Sequence, residues 1–375
     1  MSGPSPKPGI LDLPPYVGGR ESLPGVAQPL KLSANESPLG ASPKAVAAFQ
    51  SVADRLAIYP DGNVTELRAA LAELNNLNPA QIVCGNGSDE LLQLLAQAYL
   101  GPGDEAIHTA HGFLIYKLAS TAAGGLAVSA PEVDLTANVD TILAAVTAQT
   151  RLVFLANPNN PTGTMIDGDA LRRLHAGLRE DILLVIDGAY AEYVTDEGYE
   201  NGFKMVEQAD NVVTTRTFSK IHGLAALRLG WAYCPPQVAE VLNRLRGPFN
   251  ISGPAMAAGI ASVKDTAHIA RSVAHNSRWL DWLAQQIGGA GFETVPSKAN
   301  FLLIKFPPEN GITAADADDF LCTRGIIARQ LGSYGLPDAL RLSVGTEDAN
   351  RRVVEALLEL AESSAAHKDN HGAGS

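Results

Sequence analysis

Four segments of the chain place polar residues directly after short apolar runs. They are residues 85–90, residues 157–163, Asp187 with Tyr190, and residues 217–220 with Arg228. Apolar runs of this length, separated by helical patterns, are typical of buried strands in a parallel sheet. Because ligands of open parallel sheets bind beyond the carboxyl ends of the strands, we expect these polar residues to form one site.

The first segment is a glycine turn that leads into a helix. Gly87 allows a tight turn, and the free N–H groups near Ser88 and Asp89 at the helix N-terminus suit an anion. The same residues would also suit an ordinary turn in which Ser88 is the N-cap of the helix. The segment alone does not decide between an anion site and such a turn. Glu90 stands where a GxGxxG fingerprint has its third glycine, which disfavours a dinucleotide site.

The second and third segments follow two strongly apolar strands. Residues 157–163 contain two prolines and three asparagines, so Asn160 lies either in a rigid loop that aims its amide at a ligand or in a plain turn. Asp187 ends an apolar strand, where a carboxylate is costly unless it meets a cation or a strong donor. A protonated heterocyclic nitrogen is such a partner; a turn-capping Asp is the alternative.

The fourth segment carries the candidate nucleophile. Lys220 lies just past a strand, where burial lowers the pKa of its amine and makes it more nucleophilic. Ser219 and Arg228 are spaced so that both could bind one phosphate. A solvated lysine and a separate structural arginine are the commoner roles of these residue types, but here they occur in order with the other three segments.

The elements that position these residues predict an α/β fold with two domains. We expect an N-terminal arm over residues 1–35 that joins the small domain, a large domain over 36–252, a small α+β domain over 253–364, and a flexible tail over 365–375. Predicted strands of the large domain cover residues 81–84, 151–155, 182–186, 212–215 and 230–233. In the small domain one long helix over about 254–287 precedes strands near 292–295, 301–306 and 340–344, and a last helix covers about 347–363.

Composition excludes several classes of function. The formal net charge of -12 opposes an extended nucleic-acid or anionic membrane surface. Three scattered cysteines form neither a disulfide framework nor a metal motif, so we expect no bound metal and a reducing cytoplasm. No apolar run approaches the roughly 18 residues that a membrane span needs.

Taken in order, these motifs resemble the fold-type I pyridoxal-phosphate enzymes. The resemblance implies that Lys220 binds the cofactor as a Schiff base, that Asp187 pairs with the pyridinium nitrogen, and that Asn160 and Tyr190 bond to the ring hydroxyl. It implies that Phe113 stacks on the ring, although alone this residue would be an ordinary core aromatic. The residues implied at the cofactor phosphate are Ser88 with its neighbours Gly87 and Asp89, Ser219 and Arg228, and Thr217 is a further residue implied in cofactor binding.

Across residues 10–362 the chain is most similar to the histidinol-phosphate aminotransferase family. Residues 13–20 look like that family's arm, whose tyrosine, here Tyr16, reaches the substrate phosphate. Tyr59 matches the tyrosine that is donated to the cofactor phosphate of the neighbouring subunit, which implies a homodimer with active sites at the interface. The residues implied at the substrate are Tyr16, Asn35, Asn160, Arg329 and Arg341. Ser37, Gly188 and Gln330 depart from the family pattern, and we expect Gly188 and Gln330 to bear on substrate preference more than on reaction type.

The resemblance implies ping-pong transfer of an amino group between L-histidinol phosphate and 2-oxoglutarate, with the freed Lys220 amine moving the proton. An aromatic amino acid aminotransferase, an enzyme with both activities, and a phosphothreonine decarboxylase of the same fold are alternatives. A catalytically silent binding protein is a further alternative, which the intact Lys220, Asp187 and Arg228 oppose.

Overall fold

A computed structural model describes residues 5–15, 18–307 and 311–372 of the chain, with side chains described up to residue 363. The strands are β1 Leu30–Lys31, β2 Ile82–Gly85, β3 Glu105–Thr109, β4 Leu126–Ala130, β5 Glu132–Val133, β6 Thr136–Ala137, β7 Thr150–Ala156, β8 Leu183–Asp187, β9 Val212–Thr217, β10 Gly230–Tyr233, β11 Glu293–Val295, β12 Phe301–Lys305, β13 Ile326–Ile327, β14 Arg329–Leu331 and β15 Leu336–Ser343. The α-helices are α1 Pro43–Gln50, α2 Thr65–Asn75, α3 Ser88–Tyr99, α4 Ile115–Ala123, α5 Val139–Ala144, α6 Gly168–Gly177, α7 Phe203–Gln208, α8 Pro236–Leu245, α9 Gly253–Lys264, α10 Thr266–Gly289, α11 Ala314–Thr323 and α12 Glu347–Gly372.

A seven-stranded sheet in the order β2-β10-β9-β8-β7-β3-β4 forms the centre of the larger part of the chain. Strands β4, β3, β7, β8 and β9 are parallel neighbours, and β10 runs antiparallel to both β9 and β2. Two apolar clusters cover its two faces. Every residue of β8 is buried, as expected for a parallel strand with helices on both sides. The predicted α/β fold class is therefore confirmed.

The smaller part is built on the antiparallel sheet β11-β12-β15-β14. Residues of α10, α11 and α12 form an apolar cluster with it. The short strand β1 pairs in parallel with β13, which attaches the segment before the large sheet to this smaller part. Among the described residues no helix is both long enough and apolar enough to cross a membrane.

Two helices differ from the sequence prediction. The expected single helix over about 254–287 is divided into α9 and α10 at Asp265, whose φ of -95° and ψ of 62° are not helical. The side chain of Asp265 accepts hydrogen bonds from Ser42 at 2.5 Å and Lys44 at 3.2 Å, so contacts with α1 stabilise the break. The last helix continues to Gly372, beyond its expected end near residue 363, so its backbone is helical over most of the expected tail.

Candidate functional site

A cavity of about 250 Å³ lies at the carboxyl ends of β7, β8 and β9. It brings together most of the residues that the sequence predicted. The predicted residues that line it are Asn35, Ser88, Asp89, Phe113, Asn160, Asp187, Tyr190, Thr217, Ser219, Lys220, Arg228, Arg329 and Arg341. Gly87 lies beside it against Arg228, Tyr59 is elsewhere, and Tyr16 lies outside the described residues.

Lys220 follows β9 and its amine lies inside the cavity. Its Nζ donates a hydrogen bond of 3.0 Å to the carbonyl oxygen of Ala34 and lies 5.9 Å from the centre of the Tyr190 ring. Burial, followed by the positive charge of Arg341, lowers the pKa of Lys220 to about 8. A large fraction of the amine is therefore neutral and nucleophilic just above neutral pH.

Asp187 ends β8 and is almost completely buried at the floor of the cavity. Its Oδ1 accepts a hydrogen bond of 3.0 Å from the hydroxyl of Thr215, and its Oδ2 accepts one of 2.8 Å from the hydroxyl of Tyr116. Burial raises the pKa of Asp187, and these two hydrogen bonds oppose that effect. Sequence reasoning missed Tyr116, which lies in the first turn of α4 with its ring centre 5.9 Å from that of Phe113.

The opposite part of the cavity carries groups suited to an anion. Arg228 donates hydrogen bonds to Ser219 at 3.2 Å and to Asp89 at 3.1 Å. Gly87, with a φ of +80°, turns the chain into the N-terminus of α3, and a Cβ there would lie 2.6 Å from Nη2 of Arg228. The glycine thus leaves space for the guanidinium beside the free N–H groups of the helix, which favour an anion.

Arg329 and Arg341 are paired positions on the neighbouring strands β14 and β15 of the smaller sheet. Arg341 is buried, donates to the carbonyl oxygen of Ser33 at 2.7 Å, and donates a short hydrogen bond to Oδ1 of Asn160. Both arginines line the cavity. Guanidinium groups bind carboxylates and phosphates through paired hydrogen bonds, so this part of the cavity suits an anionic ligand.

Asn35 connects the smaller sheet to the aromatic wall of the cavity. Its Nδ2 donates to the hydroxyl of Tyr190 at 2.9 Å, and its backbone N–H donates to the hydroxyl of Ser343 on β15 at 2.8 Å. The side chain of Asn300 in turn donates to the Asn35 carbonyl oxygen at 3.0 Å. In this structure Asn35 is thus a connecting residue at the site.

Tyr59 does not reach the cavity of its own chain. It is 79% exposed and stacks on Phe249 with 4.7 Å between ring centres. Both rings line an open cleft of about 990 Å³ that extends to Arg228. The tyrosine therefore stands on an apolar surface next to the anion-binding part of the site.

The cavity residues fit pyridoxal phosphate by the chemistry of their donors. A buried carboxylate at the floor suits a cationic ring nitrogen, and the amine of Lys220 suits a carbonyl carbon. Arg228 and Ser219 suit a phosphate, while Phe113 offers an aromatic face.

These features belong to an aminotransferase, and comparison with known proteins agrees. Residues 27–357 match the family described as aminotransferase class I and II, and the chain belongs to this family. It is 54% identical over 359 residues to the histidinol-phosphate aminotransferase of Paramagnetospirillum magneticum, which covers 96% of this chain and 99% of that protein. It is 53% identical over 363 residues to the histidinol-phosphate aminotransferase of Rhodopseudomonas palustris, and this match covers 96% of this chain and 99% of that protein.

Solved structures are similar over nearly the whole fold. The histidinol-phosphate aminotransferase of Sinorhizobium meliloti, in complex with pyridoxal 5'-phosphate, has a TM-score of 0.87 and 27% identity, covering 97% of this chain and 99% of that one. The family expected from the sequence is thereby confirmed.

Proposed function

We propose that this enzyme transfers the amino group between L-histidinol phosphate and 2-oxoglutarate, with pyridoxal phosphate as its cofactor, in histidine biosynthesis. The observation that carries the proposal is the pair Arg329 and Arg341, which occupy paired positions on neighbouring strands and line the cavity that also contains Lys220. The two relatives at 53% and 54% identity, both histidinol-phosphate aminotransferases, support the same substrate.

Each side of the cofactor would be held by a separate element. Lys220 would bind its carbonyl carbon, Asp187 its ring nitrogen, Asn160 and Tyr190 its ring hydroxyl, and Phe113 its face. The residues that would hold its phosphate are Gly87, Ser88, Asp89, Thr217, Ser219 and Arg228. When bound, pyridoxal phosphate supplies an electron sink for the pair left on the substrate carbon.

Lys220 is the residue that moves the proton. Its Nζ lies in the cavity, and its pKa of about 8 lets it take up and release a proton near neutral pH. The carbonyl oxygen of Ala34 holds the amine at 3.0 Å when it is not otherwise bonded. The base therefore stays within the cavity through both half-reactions.

The arginine pair accounts for two unlike substrates in one pocket. Glutamate brings carboxylates and histidinol phosphate brings a phosphate dianion, and guanidinium groups bind either by paired hydrogen bonds. Arg341 is fixed by Ser33 and Asn160, whereas Arg329 lies beside Gly19, whose added Cβ would be 3.6 Å from its Nη1. We assign Tyr16, on the same arm, to the substrate phosphate.

We further propose a homodimer with active sites at the subunit interface. Leu56, Ile58, Tyr59 and Phe249 are exposed apolar residues that line the same cleft, which reaches Arg228. An apolar surface of this kind suits a second copy of the chain. There Tyr59 would reach the cofactor phosphate of the partner.

The three cysteines are free thiols, which supports a cytoplasmic location.

The decisive experiment compares kcat/KM for histidinol phosphate, phenylalanine and tyrosine with 2-oxoglutarate as acceptor. We expect histidinol phosphate to be preferred by at least about 100-fold, since a charged phosphate forms hydrogen bonds of roughly 1.5–3 kcal/mol each. A preference for phenylalanine or tyrosine would assign the enzyme to aromatic amino acids instead, and comparable values would assign both activities.

A further inference from the structure

Gly188, which departs from the family pattern, lies against a buried arginine. A Cβ added at Gly188 would lie 2.1 Å from Nη1 and 2.6 Å from Cζ of Arg216, a separation that side chains do not tolerate. Arg216 is on β9 and only 2% exposed. With a side chain at position 188 the guanidinium would have to leave the place that it occupies beside Gly188.

The guanidinium of Arg216 is held rigidly. Its Nη1 donates to the hydroxyl of Thr214 at 2.6 Å and to the carbonyl oxygen of Thr215 at 2.8 Å, and its Nη2 donates to the carbonyl oxygen of Asn201 at 2.7 Å. It also lies 4.8 Å from the centre of the Phe203 ring. A side chain at position 188 that displaced the guanidinium would therefore break these hydrogen bonds.

Thr215 connects Arg216 to Asp187. Its carbonyl oxygen accepts from Nη1 of Arg216 and also from the backbone N–H of Gly188 at 3.0 Å, while its hydroxyl donates to Oδ1 of Asp187 at 3.0 Å. One threonine thus fixes both the guanidinium and the turn that carries the carboxylate. The positive charge of Arg216 lowers the pKa of Asp187 and so opposes the effect of burial.

Other charged and titratable groups around Asp187 also affect its pKa, so the positive charge of Arg216 acts together with them. Asp89 on α3 raises the pKa of Asp187, and Tyr116 on α4 lowers it. Glu192 follows in the next turn, with its Oε1 3.8 Å from Nε of Arg216 and its own pKa raised by burial. Tyr190, Tyr199 and Lys220 complete the titratable groups nearby.

We infer that Arg216 is a positioning residue that keeps the Asp187 carboxylate ionised and aimed at a cationic ring nitrogen, and that Gly188 is the residue that makes room for it. The inference rests on the proposed cofactor. It replaces the assignment of Gly188 to substrate preference with a role at the floor of the site, since the side chain that Gly188 lacks would meet Arg216 and not the substrate.

The test measures how strongly the ring nitrogen contributes to cofactor binding. Apo-protein is titrated with pyridoxal phosphate and with the analogue in which carbon replaces the ring nitrogen, and the two dissociation constants are compared by absorbance. The wild type should bind pyridoxal phosphate more tightly than the analogue. Gly188→Ala should reduce this ratio by about tenfold, because one pKa unit of the carboxylate corresponds to a factor of ten.

Matched variants separate this role from a structural one. Gly198→Ala adds the same methyl group where no atom lies within 4 Å, and it should keep the wild-type ratio. Arg216→Met should lose the preference for the ring nitrogen, and Arg216→Lys, which keeps the charge, should retain part of it. If Gly188→Ala does not fold, Arg216→Met and Arg216→Lys still test the role of Arg216.

The outcomes distinguish the inference from the proposed function. If the wild type forms no lysine-bound cofactor, the proposed function falls and the inference falls with it. If the wild type prefers pyridoxal phosphate and Gly188→Ala or Arg216→Met weakens both compounds equally, Arg216 is merely structural and the inference alone is overturned.

Discussion

The hydroxyl of Tyr116 donates a 2.8 Å hydrogen bond to Oδ2 of Asp187, and the tyrosine is 1% exposed. The bond joins α4 to the end of β8 across 71 positions of sequence. The second oxygen of Asp187 accepts from Thr215, so both oxygens are positioned by neutral hydroxyl groups. A buried carboxylate that is satisfied in this way is oriented without being neutralised, and it stays available to a cation.

Replacing Tyr116 by phenylalanine should weaken cofactor binding by about tenfold, because a hydrogen bond to a charged group contributes roughly 1.5–3 kcal/mol and part of this loss is recovered by relaxation. Titration of apo-protein with pyridoxal phosphate measures the change. Tyr99→Phe, which removes a hydroxyl outside the cavity, serves as the control and should bind like the wild type. Equal affinities for both variants would contradict a role for Tyr116 at Asp187.

The reactivity of Lys220 should depend on pH around 8. Its pKa is lowered to about 8, first by burial and then by Arg341. The amine is therefore mostly cationic below pH 8 and mostly neutral above it. We expect the rate at which apo-protein captures pyridoxal phosphate to rise through this range and then level off. Stopped-flow absorbance measures the rate.

Two variants test the origin of that profile. Lys220→Ala should form no lysine-bound cofactor and should lose transamination; full turnover in this variant would refute the assignment of Lys220. Arg341→Gln removes the nearby positive charge and should move the midpoint of the capture profile to higher pH, since a cation disfavours a second cation. A shift to lower pH would contradict this account.

Arg341→Ala should impair the substrate half-reactions while the cofactor stays bound. The rate constant divided by the dissociation constant for glutamate and for histidinol phosphate should fall by about 10- to 100-fold, which corresponds to the loss of roughly 1.5–3 kcal/mol from charge-assisted hydrogen bonds. Single-turnover absorbance measures each half-reaction. Arg324→Gln, which breaks an exposed ion pair with Glu359, is the control. Loss of the cofactor in Arg341→Ala would mean that its role is different.

Phe249→Asp should dissociate the proposed dimer and weaken cofactor binding with it. The ring of Phe249 is 43% exposed and stacks on Tyr59 within an apolar surface, and a carboxylate there would be buried without a partner. Sedimentation equilibrium gives the assembly, and Leu126→Asp, at another exposed apolar position, should leave it unchanged. A wild-type protein with the mass of one chain would contradict the dimer.

The sequence by itself determined the α/β class, the family and most of the cavity residues. Strand β8 was predictable because the four buried residues before Asp187 form an uninterrupted apolar run, and Asp187 is the polar residue that ends it. Each motif is local, since a strand, a turn and a helix start follow one another in the chain. The order of such motifs is visible without any contact between them.

Only the tertiary structure showed which residues from distant segments contact those motifs. Strands β3 and β4 were missed because polar residues, the half-buried His108 in β3 and the exposed Ser129 in β4, interrupt their apolar pattern. The break at Asp265 depends on Ser42, 223 positions away. Tyr116 donates to Asp187 from a helix, and Arg216 is connected to Asp187 through Thr215 on the neighbouring strand. Their positions follow from how sheet and helices pack, because hydrogen bonds between distant segments leave no periodic pattern in the chain.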